Sequence, residues 1–395
     1  MENKVLAQII QTYETPFYIF DMSVLKRRIA YLRKHLDSHM AICYAVKANT
    51  FIIKDIADRI DRFEVCSPGE LNICQALDIP MEKVVVSGVY KTPDVMDNLI
   101  AKKDTVGWYT VESLTQFNLL SESAKAHHKK IRVLLRLTSG NQFGMDEKDI
   151  EEIIADAAHH PHVDIRGIQY FSGTQKQSLK KLKREIDHLN EFLTALEEKL
   201  GYHAEELEFG TGFPVAYFAS DEFDEAAFLN DFNELMQSMT FKAKITLELG
   251  RSIAASCGNY VTRVVDSKIN KKQRYALVDG GIHHLVYYGQ SMAMKHPKYH
   301  LYPERTEDNV QAWNICGSLC TVNDILVKQL PIADLKIGDY LIFENTGAYC
   351  MTEGISLFLS RELPRIIALY EDGTCCSMRE NIRTDLLNTP KERRN

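Results

Sequence analysis

Lys47 ends the apolar run Met40-Ala41-Ile42-Cys43-Tyr44-Ala45-Val46, which is short and bounded enough to be a buried strand. A lysine there is expensive to keep charged without a partner, so its pKa tends to fall. A neutral amine adds to aldehydes, which makes Lys47 a candidate covalent anchor for an aldehyde cofactor. Gly210-Thr211-Gly212 follows Leu207-Glu208-Phe209, and small residues after a strand let backbone N–H groups approach a phosphate closely. Glu248 follows the strand-like Ile245-Thr246-Leu247, where a carboxylate at a strand end would point into a site. Taken singly, each has an ordinary reading: a lysine reaching solvent, a plain glycine turn, a surface glutamate.

The elements that must position these groups alternate. Thr15 to Phe20 reads as a strand. Asp21 to Leu36 reads as a helix capped by Asp21, with Leu25, Ile29, Leu32 and Leu36 as its apolar stripe. Further strands are expected at Ile42–Val46, Phe63–Cys66, Lys83–Ser87, Gly107–Thr110, Lys130–Leu137, Ile165–Phe171 and Glu206–Phe209. Helices are expected between them at Ile52–Ile60, Gly69–Leu77, Pro93–Lys102, Leu114–Ala126, Lys148–His159 and Leu179–Leu200. Repeated strand–helix units predict a parallel sheet. Eight of them by about residue 250 predict a closed (β/α)8 barrel, whose strand ends carry the site. After Gly250 the texture changes to strands at Tyr260–Ile269, Tyr275–Val278, Tyr340–Ile342 and Arg365–Tyr370, which predicts a mainly antiparallel β domain. The expected division is a barrel over 22–250 and a β-rich domain over 1–21 and 251–395.

Composition bounds the function class. The 395 residues are 45% hydrophobic and 26% charged, an ordinary globular balance, with a net charge of −7 and no dense basic tract. Lys26-Arg27-Arg28 and Lys180-Lys181-Leu182-Lys183-Arg184 lie in amphipathic helical patterns and read as solvated faces rather than a nucleic-acid surface, although an acidic carrier protein could dock on such a patch. No apolar run is long enough to span a membrane, and Met1-Glu2-Asn3-Lys4 starts no signal peptide, so a cytoplasmic protein is expected. The nine scattered cysteines are expected as thiols. Cys316 and Cys320 are four residues apart, but no second pair completes a zinc site, and no metal is expected.

Several motifs, in order, point further. Tyr44-Ala45-Val46-Lys47-Ala48-Asn49, Phe63-Glu64-Val65-Cys66-Ser67-Pro68-Gly69-Glu70-Leu71, Gln142-Phe143-Gly144-Met145, Gly173-Thr174-Gln175, Gly210-Thr211-Gly212 and Glu248-Leu249-Gly250-Arg251 are followed by Gly317-Ser318-Leu319-Cys320 with Asp324, and by Gly347-Ala348-Tyr349. This series resembles the fold-type III pyridoxal-phosphate decarboxylases, the alanine-racemase-like superfamily that includes diaminopimelate, ornithine and arginine decarboxylases. The resemblance implies pyridoxal 5'-phosphate anchored on Lys47, with Glu64 nearby and Glu248 paired with the pyridine nitrogen. It implies a phosphate cup of Gly210, Thr211, Gly212, Gly250, Arg251, Thr174 and Tyr349. It also implies a homodimer with shared sites, in which Cys320 reaches the partner's site as the general acid. A racemase on the same fold, or an inactive regulatory homologue, are the rival readings. Glu248 and Cys320 speak against the first; the long stretch beyond Glu248 speaks against a pyridoxal-phosphate carrier that lacks the β domain, while an inactive homologue stays open because sequence does not report turnover.

Departures from the family pattern bear on the substrate. Phe171 stands where the family commonly stacks a histidine on the ring, Glu64 where aspartate is more common, and Thr211 where the middle glycine is usual. The family's diamino-acid enzymes have an acid directly after the cysteine, and its diaminopimelate enzymes an arginine in the segment Asp279–Tyr287. Here those positions are Thr321 and Tyr287. The expected pocket, to which Asp324, His283 and His284 could also contribute, is therefore neutral toward a distal charge. Adjacent histidines on a loop are more often structural, the other readings being a pocket lining or a grip on a pantetheine phosphate. Gln142-Phe143-Gly144-Met145-Asp146-Glu147, Asp279-Gly280-Gly281-Ile282-His283-His284 and Leu319-Cys320-Thr321 resemble the butirosin-pathway branch, which decarboxylates glutamate tethered to an acyl carrier protein. An amino acid with a masked side chain, in natural-product biosynthesis, is the resulting expectation. A free diamino acid (diaminopimelate, lysine or ornithine) is the alternative.

Overall fold

Helix α1 (Asn3–Thr12), strand β1 (Phe17–Asp21) and helix α2 (Met22–His35) lead into eight parallel strands that close into a barrel. These are β2 (Ala41–Ala45), β3 (Arg62–Val65), β4 (Val84–Val86), β5 (Trp108–Val111), β6 (Ile131–Leu137), β7 (Val163–Phe171), β8 (Glu206–Gly210) and β9 (Lys244–Leu249), with β9 pairing back onto β2. The computed structural model describes residues 3–103, 105–306 and 308–391. Met1, Glu2 and residues 392–395, the ends of the expected β-rich domain, lie outside the described residues. The chain divides into two units: Ile29–Pro214 with Asp224–Ile253, and Met1–Arg28 with Val215–Phe223 and Ala254–Asn395.

The barrel's helices are α3 (Pro68–Ala76), α4 (Pro93–Ala101), α5 (Leu114–Ala126), α6 (Glu147–Ala155), α7 (Leu179–Leu200), α8 (Glu225–Gln237) and the short α9 (Arg251–Ala254). Several start where a side chain takes an orphan amide: Ser67, Ser113, Ser178 and Asp224 each accept from the backbone N–H three residues on. The Cys66-Ser67-Pro68-Gly69-Glu70 motif thereby becomes a variant capping box, since Glu70 Oε2 also accepts from Cys66 N at 2.6 Å. Helix α7 ends at Gly201 in the left-handed conformation.

The helix expected over Ile52–Ile60 does not form. Two 3-10 turns, Thr50–Ile52 and Lys54–Ile56, take its place. β-branched residues crowd this stretch and disfavour a regular helix, while Asn49 caps a tight turn through Phe51 N. Helices α1 and α8 were not expected as elements. Leu6 and Ile9 tie α1 into a cluster with Phe17, Ile19, Val261, Ile342 and Ile367.

The second unit is built on a nine-stranded sheet of β1 with β10 (Gly258–Asn270), β11 (Gln273–Val278), β12 (Tyr299–Tyr302), β13 (Val310–Cys316), β14 (Ile325–Ala333), β15 (Tyr340–Glu344), β16 (Arg365–Leu369) and β17 (Cys375–Arg379). Its pairs are mainly antiparallel, but β1–β16 and β11–β13 are parallel, so the sheet is mixed. Among the described residues, no helix is long and apolar enough to cross a membrane.

Candidate active site

The barrel brings an amine and two buried carboxylates together. Lys47 follows β2, and its Nζ lies 2.7 Å from Glu64 Oε2 on β3 and 3.5 Å from Glu248 Oε1 on β9. Strand register explains the convergence, since Ala45 pairs with Glu64 and Cys43 with Glu248 across β2. The two glutamates are buried while the lysine side chain stays 39% exposed, so both carboxylates meet a lysine that still reaches solvent. Burial pushes the Glu64 carboxyl up, but the charge and hydrogen bond of Lys47, with Arg136 behind, outweigh it and hold it at about 2. Burial, reinforced by the charge of Glu64, raises Glu248 to about 7 against the pull of Lys47. The site thus holds one firmly ionised carboxylate and one carboxyl poised to carry or release a proton.

Sequence reasoning missed the groups that orient this pair. Gln169 Nε2 donates to Glu248 Oε2 at 3.0 Å, and its signal was a polar residue flanked by Ile168 and Tyr170 near the end of its strand. Cys66 Sγ lies 3.6 Å from Lys47 Nζ. Arg136 is paired with Glu112 at 3.1 Å, and its guanidinium sits 4.8 Å from the Phe143 ring centroid. The Gln142–Met145 segment is bound to the same two residues, with Met145 N donating to Arg136 O and Gly144 N to Glu112 Oε2. Below, Arg62 is bonded to both oxygens of Glu206 and lies over the Trp108 ring. Glu208 is fully buried, neither of its oxygens has a hydrogen-bond partner among the described residues, and burial and the nearby Glu248 push its carboxyl far above its ordinary range.

The strand ends after β7, β8 and β9 carry the residues expected to grip a phosphate. Gly173 and Thr174 follow β7, Gly210-Thr211-Gly212 closes β8, and Gly250-Arg251 opens α9. Arg251 Nε donates to Thr174 Oγ1 at 3.3 Å, so two of the expected phosphate contacts meet. Thr211 Oγ1 accepts from Phe213 N, and Gly212 turns at φ +61, where a Cβ would stand 2.1 Å from Gly173 O. Gly173, at φ +136, has nothing within 4 Å of where its Cβ would be, so its bare backbone faces open room. Phe171 packs against Gly210, whose added Cβ would lie 2.5 Å from the ring. A ring aldehyde carrying a phosphate fits this set: an exposed amine, a protonatable carboxyl, small residues beside open space, and a cation paired with a hydroxyl.

The remaining candidates lie in the β unit. Cys320 is exposed and Asp324 buried. Asp324 accepts from Ile282 N at 2.9 Å and Leu319 N at 2.7 Å, which ties the Gly280–Ile282 turn to the loop carrying Cys320 and Thr321. Thr321 Oγ1 accepts from Asn323 N at 3.4 Å. Tyr287 is buried with its hydroxyl donating to Glu344 O, and His284 bonds Tyr260 Oη and Glu362 O. Neither ring nitrogen of His283 has a hydrogen-bond partner among the described residues. Burial lowers both histidines, His283 to about 4 and His284 to about 3. Tyr349 adopts a left-handed backbone at φ +64.

Residues 22–255 match the family model described as "Pyridoxal-dependent decarboxylase, pyridoxal binding domain". The chain is 26% identical to diaminopimelate decarboxylase of Aquifex aeolicus, over 88% of this chain and 85% of that protein. It is 24% identical to L-glutamyl-[BtrI acyl-carrier protein] decarboxylase of Niallia circulans, over 92% and 91%. The crystal structure of Helicobacter pylori diaminopimelate decarboxylase complexed with L-lysine superimposes with a TM-score of 0.85 at 22% identity, covering 97% of this chain and 98% of that one. The chain belongs to the pyridoxal-dependent decarboxylases, and it is a pyridoxal-phosphate-dependent amino-acid decarboxylase.

Proposed function

We propose that this member of the pyridoxal-dependent decarboxylases acts on an amino acid whose side-chain charge is masked, with carrier-tethered glutamate the foremost case. The observation that carries the reading is Tyr287. It stands where the diaminopimelate enzymes are expected to have an arginine, and its hydroxyl is turned onto Glu344 O at 2.5 Å. Thr321, after Cys320, adds no charge either. A site without a partner for a distal charge leaves that group unpaired and disfavours the free diamino acids. The 24% identical carrier-protein decarboxylase supports the same reading.

When bound, pyridoxal phosphate supplies an aldehyde for amines and a ring that stores the electron pair left as carbon dioxide departs. Lys47 would anchor it, with Glu64 2.7 Å from the amine to hold its charge. Glu248, oriented by Gln169, would pair with the pyridine nitrogen and keep a proton there. Thr174, Arg251 and the Gly210–Gly212 turn would hold the phosphate, with Gly250 beside Arg251. Phe171 offers an apolar face to the ring, without a hydrogen bond or charge. Cys320, exposed on its loop, delivers a proton to the substrate carbon from the partner subunit of a homodimer.

One observation favours the alternative of a free distal carboxylate. A cleft of about 550 Å³ in the β unit is lined by Tyr287, Val322 and other apolar residues, and the one charged residue among its lining is Lys328. The test is carbon dioxide release by the cofactor-loaded protein from free diaminopimelate, lysine, ornithine and glutamate, and from glutamate linked through its side chain to an acyl carrier protein. The linked substrate is expected to be preferred by about 100-fold or more in kcat/KM. Efficient turnover of free diaminopimelate overturns the masked-substrate reading and leaves the decarboxylase standing.

A further inference from the structure

Behind the glycine turn sits a buried ion pair. Lys176, with its side chain 1% exposed, donates from Nζ to Glu185 Oε2 on α7 at 2.7 Å. Burying such a pair is no route to stability, because desolvation offsets most of the attraction and an apolar pair would pack as well. Its contacts lie instead on the turn itself. Lys176 Nζ lies 3.5 Å from Gly210 O, and Lys176 N donates to Gly212 O at 2.9 Å. Its Cε would touch a Cβ on Gly212 at 3.2 Å. Ser172 Oγ bonds the second oxygen of Glu185, so the segment after β7, the turn after β8 and helix α7 are tied at one point. The ammonium also lies 5.9 Å from the Phe171 ring centroid and 5.5 Å from that of Phe209, whose faces favour a cation. Burial lowers the lysine's pKa, and Glu185 opposes that shift.

We propose that Lys176 is a positioning residue for the phosphate end of the site: it fixes Gly210–Gly212 from behind and places a buried cation next to the turn, with its counter-charge on the helix beyond. This rests on the assignment of Gly210–Gly212 to the cofactor phosphate. The lysine touches neither the reacting atoms nor the amine, so its effect falls on anion recognition. Because Glu185 offsets the charge at 2.7 Å, the lysine acts through the backbone it fixes and through the ammonium end of the ion-pair dipole next to the turn, rather than as a bare cation.

The experiment titrates apoprotein with pyridoxal phosphate and with pyridoxal, which lacks the phosphate, and repeats the first with inorganic phosphate as competitor. Wild-type protein is expected to prefer the phosphorylated form. Lys176→Met should weaken pyridoxal phosphate about tenfold or more, equivalent to about 1.4 kcal/mol, and leave pyridoxal within about twofold. Inorganic phosphate should compete correspondingly less well. If Lys176→Met does not fold, Lys176→Gln, which keeps a donor but no charge, is read the same way. An unchanged preference for the phosphorylated form in either folded variant overturns the proposal, as does an equal loss of both forms. A wild-type protein that binds both forms equally overturns the phosphate assignment beneath it, a result distinct from either.

Discussion

At the scale of residues, the site sets two chemically identical side chains to different tasks. Glu64 lies nearer the lysine and stays ionised, while Glu248 is left as the group that gains or loses a proton. Replacing Glu248 with Gln keeps the shape and the Gln169 contact but removes the charge that a pyridinium needs. We expect kcat to fall by about 10²–10³ with a much smaller change in KM, as for other electrostatic groups at a reacting centre. Steady-state kinetics at saturating cofactor check this, and an unchanged kcat would remove Glu248 from the chemistry. The same pKa shift has a consequence for the apoprotein. A carboxyl raised from its ordinary 4.5 to about 7 binds its proton more tightly when folded. Its contribution is therefore fully present below about 4.5 and is lost as pH rises through about 7. Glu248→Gln does not titrate, so its stability relative to wild type should grow across that window in denaturant melts. A gap that stays flat with pH counts against the shift. Lys47 and Glu248 were legible because each ends an apolar strand. Gln169 was not, because its partner Glu248 lies 79 residues away and the barrel brings the two together; Lys176 was not, because its contacts on Gly210 and Gly212 depend on β8 lying beside β7.

At the scale of elements, the turns after the strands carry the specificity. Gly212→Ala meets two obstacles, a left-handed φ of +61 and the Gly173 carbonyl 2.1 Å from the new Cβ. Relief must displace Gly173 or Gly212, so a loss of about 1–3 kcal/mol in stability is expected together with weaker cofactor binding. Thermal melts with and without pyridoxal phosphate separate the two effects, and a variant with wild-type affinity would show that the turn tolerates movement. Helix α7 presents a simpler case. Ser178→Ala removes the acceptor for Lys181 N and should cost about 1 kcal/mol by urea denaturation, with cofactor affinity retained. This helix was fully legible, with a serine before its apolar stripe and a glycine after it. Other elements were not. Strand β14 contains Pro331, which argues against a strand on sequence grounds, yet β14 is the edge of its sheet, where a missing N–H is harmless. The 50–56 stretch misled in the other direction, because a helical spacing of isoleucines coincides there with β-branched crowding and a capping Asn49.

At the scale of the whole molecule, the proposed division of labour puts the anchoring lysine and the proton donor on different copies of the chain. The β unit exposes Cys320 on a loop whose neighbour Val322 is 90% exposed, and Met292 is 74% exposed in the same unit. Large apolar side chains left open beside a functional group are what a second copy would cover. If Cys320 serves the partner's Lys47, then Lys47→Ala and Cys320→Ala each inactivate both sites of a homodimer, but for different reasons. A mixed dimer has one site missing both groups and one site missing neither. Random exchange makes half of the dimers mixed, each with one intact site. Mixing equal amounts of the two inactive proteins should then restore about a quarter of wild-type activity, as twofold symmetry requires. Restored activity cannot arise if both groups come from one chain, because no chain in the mixture carries both. The control is a differently tagged pair that shows subunits have exchanged. Exchange without recovery would place Cys320 in its own protomer's site, or outside the chemistry, and would leave the grouping of Lys47, Glu64 and Glu248 untouched.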